Sequence, residues 1–379
     1  MTFQITHQDD NARVGQLKTA HGIIETPFYM PCATKATGKY ITTDDYQNIG
    51  ENTSLKAVIA NAFLLSCKPG IETVQKAGGL HKFMNYSGII FTDCGGFQVS
   101  RSMYEKKSKE GLCFRNPFNQ SQIHLTPQKI MEIEIALGSD VAMMLDDMSL
   151  FGISEQEAEI AMENTHRWGR ESLEHHHKLK AEKKSSQLLF GIVQGNFYPN
   201  LRKKSAQFIS SLPFDGIAIG GLAIGEPKDK MYEAANAALP FIPKEKPRYV
   251  MGVGSPEDVL ELIGLGVDCF DSVYPTQIAR HHGLFTFKGK IDIAKIVYTH
   301  DFTPIEDGCL CHTCLFYSKA YLNHLVKIQE PVANRLCSIH NLYFMQKLIE
   351  KTKQAIKEKR FAAFKEDFIK NFKPIKGGL

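Results

Sequence analysis

The sequence predicts an α/β protein folded as a (β/α)8 barrel, the TIM-barrel architecture, with a cysteine-rich insertion towards the C-terminus. Three observations predict it. Short apolar runs alternate with amphipathic stretches of helical length from Ala57 onward, polar residues recur at the C-terminal ends of those runs, and the rhythm stops at Leu284, ahead of a tight cysteine cluster. Crossovers of a dozen residues or more join parallel strands, so the alternation implies a mainly parallel sheet.

In chain order the expected strands are Ala57–Leu65, Gly88–Thr92, Asp140–Leu145, Leu188–Val193, Gly216–Gly220, Tyr249–Gly252 and Val267–Val273. The expected helices are Gly70–Phe83, Pro127–Leu137, Ser154–Lys180, Pro199–Leu212, Lys228–Phe241 and Pro256–Gly264. Ser154-Glu155-Gln156-Glu157 and Ser255-Pro256-Glu257-Asp258 carry the Ser, Pro and Glu signals of helix N-termini. Seven such units favour a closed barrel over an open doubly wound sheet. Asn61, Asp93, Asp146 with Asp147, Gln194, Gly221 and Asp271 fall at or near strand ends, the end of an α/β barrel that carries the active site. The expected organisation is a barrel over residues 1–283, a metal-bound subdomain over 284–342, a C-terminal helix over 343–372 packed back on the barrel, and a frayed tail over 373–379. That helix is read as Leu342–Phe372.

Composition narrows the class. The chain has 379 residues, 43% hydrophobic and 23% charged, as in a globular protein. No apolar run approaches the roughly 20 residues that span a bilayer. The polar opening MTFQITHQDD lacks the basic and apolar segments of a secretory signal, so a cytoplasmic location is expected. A formal charge of +4 permits nucleic-acid binding without requiring it. An odd count of nine cysteines argues against a disulfide scaffold.

Three thiolates, Cys309, Cys311 and Cys314, with the imidazole of His340, match a closed tetrahedral zinc site of structural type. His312 competes as fourth ligand, though the tight cysteine loop makes its binding awkward. Asp93, followed by Cys94-Gly95-Gly96, and Asp271, set between Phe270 and Ser272, place two carboxylates at strand ends. Each alone could be a turn or capping residue. Two together at a barrel mouth suit glycosidic-bond chemistry, in which one carboxylate attacks or stabilises the anomeric carbon and the other moves a proton. Gly220-Gly221-Leu222-Ala223-Ile224-Gly225 lacks the Lys-Ser/Thr of a triphosphate loop and reads as a strand end that brings backbone to a planar base. The run His175-His176-His177 reads as an exposed helix end.

Over about residues 10 to 372 the chain resembles the tRNA-guanine transglycosylases. The motifs that carry the resemblance are Thr92-Asp93-Cys94-Gly95-Gly96-Phe97-Gln98, Gly138-Ser139-Asp140 through Leu145-Asp146-Asp147, Phe190-Gly191-Ile192-Val193-Gln194-Gly195, Gly220-Gly221-Leu222-Ala223, Met251-Gly252-Val253-Gly254, Phe270-Asp271-Ser272-Val273-Tyr274-Pro275-Thr276 and the Cys309/Cys311/Cys314/His340 set. The resemblance implies a barrel with a zinc subdomain and one structural zinc per subunit. Asp271 is then the nucleophile on the ribose anomeric carbon and Asp93 the general acid/base. Asp146, Gln194, Gly221 and Leu222 bind the base edge, and Phe97 and Met251 cover its faces.

It also implies exchange of the wobble guanine of a tRNA with a GUN anticodon for a 7-deazaguanine, either 7-aminomethyl-7-deazaguanine or queuine, in queuosine modification by a homodimer. Bacterial members usually carry tyrosine at Phe97, cysteine at Met148, histidine at Leu64 and arginine at Gln277. Arg280 alone thus remains of the basic pair expected to contact RNA with position 277. Two other readings stay open: a retaining nucleoside or glycoside hydrolase, and a non-catalytic RNA-binding accessory subunit.

Overall fold

The structure is a computed structural model that describes residues 2–95 and 104–373. It opens with an antiparallel meander of β1 (Phe3–Asp9), β2 (Ala12–Thr19) and β3 (Gly22–Thr26), which leads directly into β4 (Phe28–Pro31). Next come α1 (Thr43–Gln47), β5 (Ala57–Asn61), α2 (Ala62–Leu65), α3 (Ile71–Lys76), α4 (Leu80–Met84) and β6 (Ile89–Asp93). A second antiparallel sheet, β7 (Tyr104–Lys107), β8 (Leu112–Arg115) and β9 (Gln122–Leu125), precedes α5 (Pro127–Leu137), β10 (Val141–Met143) and α6 (Glu155–Lys183). Three strand-helix units follow: β11 (Leu188–Val193) with α7 (Pro199–Ser211), β12 (Gly216–Ile219) with α8 (Lys228–Ala238), and β13 (Arg248–Val250) with α9 (Pro256–Gly264). The last barrel strand, β14 (Cys269–Ser272), exits into α10 (Tyr274–Arg280). The C-terminal region holds the hairpin β15 (Gly283–Thr286) and β16 (Gly289–Asp292), then α11 (His312–Phe316), α12 (Lys319–Lys327), α13 (Pro331–Lys357) and α14 (Phe361–Asn371).

Eight strands pair in parallel in the order β4-β14-β13-β12-β11-β10-β6-β5. The ends of this sheet meet where Cys32 bridges Ile59, with Ala33 N–H donating to Ile59 O at 2.7 Å and Asn61 N–H to Thr34 O at 3.1 Å. The ring is therefore a (β/α)8 barrel. Strands buried on both faces read as continuous apolar runs, and Leu188–Val193 is buried at every position. A second apolar cluster, including Leu284, Ile293, Leu322, Leu325 and Leu336, sits in the C-terminal region.

Two buried carboxylates secure the N-terminal end of the barrel. Asp268, just before β14, accepts Arg13 Nε at 3.0 Å and Nη2 at 2.5 Å, and the N–H of Arg248 at 2.7 Å. Arg13 also donates to the carbonyls of Lys244 and Lys246, so the N-terminal meander is bolted across two barrel strands. Asp140 accepts His21 Nδ1 at 2.9 Å, His81 Nε2 at 3.0 Å and Ile90 N–H at 2.9 Å. Burial alone would raise its pKa, but these bonds outweigh burial and hold it at about 2.

The structure departs from the sequence reading in five places. The first barrel strand, Phe28–Pro31, is four residues long, too short to show a periodicity. The run Ala57–Leu65 is a strand only to Asn61, whose side chain accepts the Leu64 N–H at 2.8 Å and starts α2. The helix expected over Gly70–Phe83 is divided into α3 and α4 by Gly78 and Gly79, both at positive φ. The C-terminal helix begins not at Leu342 but at Glu330-Pro331, where Pro occupies the first turn. It ends at Lys357, because Lys359 adopts φ 57 and α14 starts anew. Finally, the run His175-His176-His177 lies inside α6, and helical periodicity turns His176 inward to 1% exposure. Among the described residues, no helix is long and apolar enough to cross a membrane.

Candidate active site

The C-terminal ends of the barrel strands surround a cavity of about 580 Å³ lined by Asp93, Asp146, Gly221, Leu222, Met251 and Asp271 among others. Along β14 Cys269 and Phe270 are buried on either face of the strand, and Asp271, towards its C-terminal end, opens to the cavity. Its carboxylate is well served. Oδ1 accepts the Tyr249 hydroxyl at 2.5 Å and the Gly252 N–H at 2.9 Å, and Oδ2 faces the Cys32 thiol at 3.5 Å. Burial raises the Asp271 pKa, and those three donors oppose the rise by stabilising the anion.

Asp93 ends β6 and pairs in register with Asn61 of β5. Burial first, then the charges of Asp146 and Asp271, push it up to about 7. Two carboxyl groups of one cavity thus differ in environment: both accept hydrogen bonds, Asp93 from the Gly95 N–H and the Cys94 thiol, but Asp93 alone is also raised by neighbouring carboxylates. Such a division suits one group to act as an anion and the other to carry a proton near neutral pH.

Asp146 lies three residues beyond β10 and is raised to about 6 by burial, against the bond from Gln194 and the nearby Cys94 thiol. Gln194 Nε2 donates to Asp146 Oδ2 at 2.6 Å. The Gln194 Oε1 is buried with no donor among the described residues. Asp147 is turned away from the cavity, held by Asn164 Nδ2 at 2.8 Å and Lys107 Nζ at 3.2 Å. Its position beside Asp146 in sequence therefore does not make it a second group of the cavity wall.

The wall opposite Asp93 is backbone. Gly221 at φ 68 turns the chain after β12, and a Cβ there would be strained and would meet Gln194 Oε1 at 2.7 Å, so that the buried amide would have to shift. Arg202, fully buried on α7, fixes this turn by donating to the carbonyls of Asn196, Val193, Gly220 and Gly221. Glu226 accepts the N–H groups of Ala223 at 2.5 Å and Ile224 at 2.8 Å.

Met148 and Gln277 also line the cavity, whereas Leu64 is buried at the start of α2. Arg280 is half-buried and donates to the Thr276 carbonyl at 3.2 Å. Phe97 lies outside the described residues. Sequence reasoning missed Tyr249, Cys32 and Arg202. Tyr249 opens an apolar run and reads as core. Arg202 sits in a helix with Lys203 and Lys204 and reads as one more surface cation.

Cys309, Cys311, Cys314 and His340 converge, with His340 Nδ1 at 3.8, 3.5 and 3.4 Å from the three sulfurs. A tetrahedral zinc with bonds near 2.3 Å to sulfur and 2.0–2.1 Å to nitrogen requires S···N edges of about 3.5 Å, so the donor set fits the ion. His340 Nε2 faces the Phe285 carbonyl at 2.7 Å, which fixes the tautomer that leaves Nδ1 free to ligate. His312 packs against Phe316 and Tyr317 instead. A further trio, His21, His81 and Asp140, is a hydrogen-bonded clasp: the imidazoles stack 3.5 Å apart, which would put a shared ion far out of both ring planes.

Residues 9–374 match the family model described as Queuine tRNA-ribosyltransferase. Curated relatives of that name include one from Desulforamulus reducens, 43% identical over 95% of this chain and 95% of its own length. Another, from Caldanaerobacter subterraneus subsp. tengcongensis, is 43% identical over 98% and 97%. A third, from Pelotomaculum thermopropionicum, is 42% identical over 98% and 99%. With the barrel, the paired carboxyl groups and the Cys3His cluster in place, these matches over nearly the whole chain establish that it belongs to the queuine tRNA-ribosyltransferase family.

Proposed function

We propose that the protein is a tRNA-guanine transglycosylase that exchanges the wobble guanine of a tRNA with a GUN anticodon for a 7-deazaguanine, in queuosine modification. The observation that carries this reading is the contrast between Asp271, ringed by hydrogen-bond donors, and Asp93, raised to about 7 in the same cavity. Asp271 attacks the anomeric carbon of the flipped-out nucleotide as the bond to guanine breaks, and Asp93 gives its proton to the departing base. The incoming base then returns a proton to Asp93 and displaces Asp271 from the sugar, which regenerates both carboxyl groups. Atoms and charges balance over the two steps, with overall retention at the sugar.

In this reading Asp146, Gln194 and the backbone of Gly221 and Leu222 hold the base edge, and Met251 covers one face of the base. The other face falls to Phe97, outside the described residues. Gln277 and Arg280 contact the RNA. Met148 and Ile224 narrow the cavity at the base and bear on whether 7-aminomethyl-7-deazaguanine or queuine enters. Cys309, Cys311, Cys314 and His340 hold one structural zinc, which ties α11 to α13 and takes no part in the exchange. A cytoplasmic homodimer is part of the same proposal. It is supported by apolar residues that Ile296, Val297, Phe302 and Phe316 leave exposed on adjoining segments.

The test is incorporation of labelled guanine into unmodified tRNA with a GUN anticodon, followed by a chase with each unlabelled 7-deazaguanine. Exchange, displaced by one of the two bases, supports the reading and names the substrate. Zinc-loaded, folded protein that exchanges nothing would overturn it in favour of a binding subunit. Light scattering that gives a monomer at micromolar concentration would remove the dimer.

A further inference from the structure

One rim of the cavity carries groups that base exchange itself does not use. Thr34 and Asn61 line the cavity, and Lys35 follows the first directly, while Lys68 lies in the turn after α2, which Asn61 caps. The β8–β9 hairpin folds over α2, with the Phe114 ring 5.4 Å from that of Phe63. Its tip carries Phe118, 40% exposed, with Lys35 Nζ 5.3 Å and Lys68 Nζ 5.5 Å from the ring centroid. Both lysines are exposed, and neither forms an ion pair among the described residues. The tip is held in shape: Asn116 Oδ1 accepts the Phe118 N–H at 2.9 Å, Asn116 O accepts the Gln120 N–H at 2.8 Å, and Asn119 Oδ1 accepts the Ser121 N–H at 3.0 Å.

The contacts stabilise the hairpin tip only modestly. Exposed cation–π contacts contribute about 0.5–1 kcal/mol each, and two ammonium groups beside one ring repel each other. A strand of RNA has what the cluster lacks, a negative charge on every nucleotide and an aromatic face on every base. A target nucleotide that enters the cavity leaves its neighbours at the rim with their stacking interrupted.

We propose that Lys35, Phe118 and Lys68 form a clamp for the RNA strand next to the reacting nucleotide. The two ammonium groups take backbone phosphates, and the Phe118 ring meets an unstacked neighbouring base. The clamp rests on the reading of the cavity as a site for an RNA nucleotide. It places part of the RNA grip beyond the ends of β4 and β5, next around the barrel from β14 and the α10 residues Gln277 and Arg280.

The experiment measures binding of a fluorescein-labelled anticodon stem–loop by anisotropy over a potassium chloride series, with the exchange assay run in parallel. The proteins are the wild type, the double variant Lys35→Ala/Lys68→Ala, Phe118→Ala, and a control, Lys183→Ala/Lys184→Ala, at the opposite end of the barrel. Loss of two phosphate contacts is expected to raise Kd about tenfold and to flatten the slope of log Kd against log salt by about 1.4. Phe118→Ala is expected to weaken binding about tenfold with the slope unchanged. At saturating tRNA, kcat and the KM for free base are expected to stay within about twofold.

Wild-type Kd and slope in both clamp variants would overturn the clamp, as would a loss of affinity that tracks dissociation to monomers in light scattering, which would make the cluster a subunit contact. Binding and exchange fail separately: a clamp seen in the anisotropy of a protein that exchanges no guanine leaves the clamp standing and removes the proposed chemistry.

Discussion

Replacing Tyr249 with Phe tests whether the donors around Asp271 set its charge. The Tyr249 hydroxyl sits 2.5 Å from Asp271 Oδ1, and after its removal the same oxygen keeps only the Gly252 N–H at 2.9 Å. A hydrogen bond to a charged group contributes about 1.5–3 kcal/mol, which at 1.36 kcal/mol per unit corresponds to a rise of about 1–2 in the Asp271 pKa. Attack requires the anion, so the acid limb of the pH profile should move up by that amount. The basic limb stays near 7, where Asp93 loses the proton it must donate. The two limbs close on each other. Below the wild-type acid limb kcat/KM should fall by the full ~10- to 100-fold, about as the ionised fraction does, and the loss should shrink as pH rises towards 7. Phe keeps the ring, so the melting temperature should change little. The assay is guanine exchange from pH 5 to 9 with tRNA varied at each pH. An unmoved acid limb with a rate near wild type would refute the assignment of Tyr249 as the group that keeps Asp271 ionised. A uniform loss at every pH would refute it too, since that pattern marks misplacement rather than altered charge.

Three further outcomes are expected. Asp146→Asn removes the larger of the two charges that raise Asp93, so the basic limb of kcat should shift to lower pH; a limb that stays near 7 would show that the Asp146 charge does not set it. Exhaustive chelation should release one zinc per chain and lower the melting temperature by at least ~5 °C, since an ion held by Cys309, Cys311, Cys314 and His340 would link a cysteine loop to α13; Cys314→Ser should do the same, and metal analysis with calorimetry checks both. His166 and His176 are pushed down to about 4, chiefly by burial, so the unfolded chain takes up protons between its own value near 6.5 and pH 4 while the native chain does not. Stability should therefore fall as pH drops through that window, with a slope of at most about 2.7 kcal/mol per unit for two protons. Urea titrations should show a shallower fall for His166→Gln/His176→Gln, and an equal fall in both proteins would remove the assignment.

The sequence by itself determined the barrel class, most of its strands, the Cys3His cluster that could hold a metal and the two carboxylates of the cavity. Each is written in local pattern. A strand buried on both faces must be a run of apolar residues, as Leu188–Val193 is, and a polar residue such as Asp93 that ends such a run stands out. Three cysteines within six residues need no fold to suggest a metal. Tertiary structure decided what depends on distant residues. Phe28–Pro31 becomes a barrel strand only because Cys269–Ser272 pairs along its length. Tyr249 reads as core until the fold brings its hydroxyl to Asp271, and Arg202 reads as a surface cation until four carbonyls of two strand ends surround it. Asp146 and Asp147 are neighbours with the same side chain, yet one faces the cavity and the other is bound by Asn164 and Lys107. The distinction comes from where the chain turns after β10, which is set by the packing of α6 against the barrel and by no property of either aspartate.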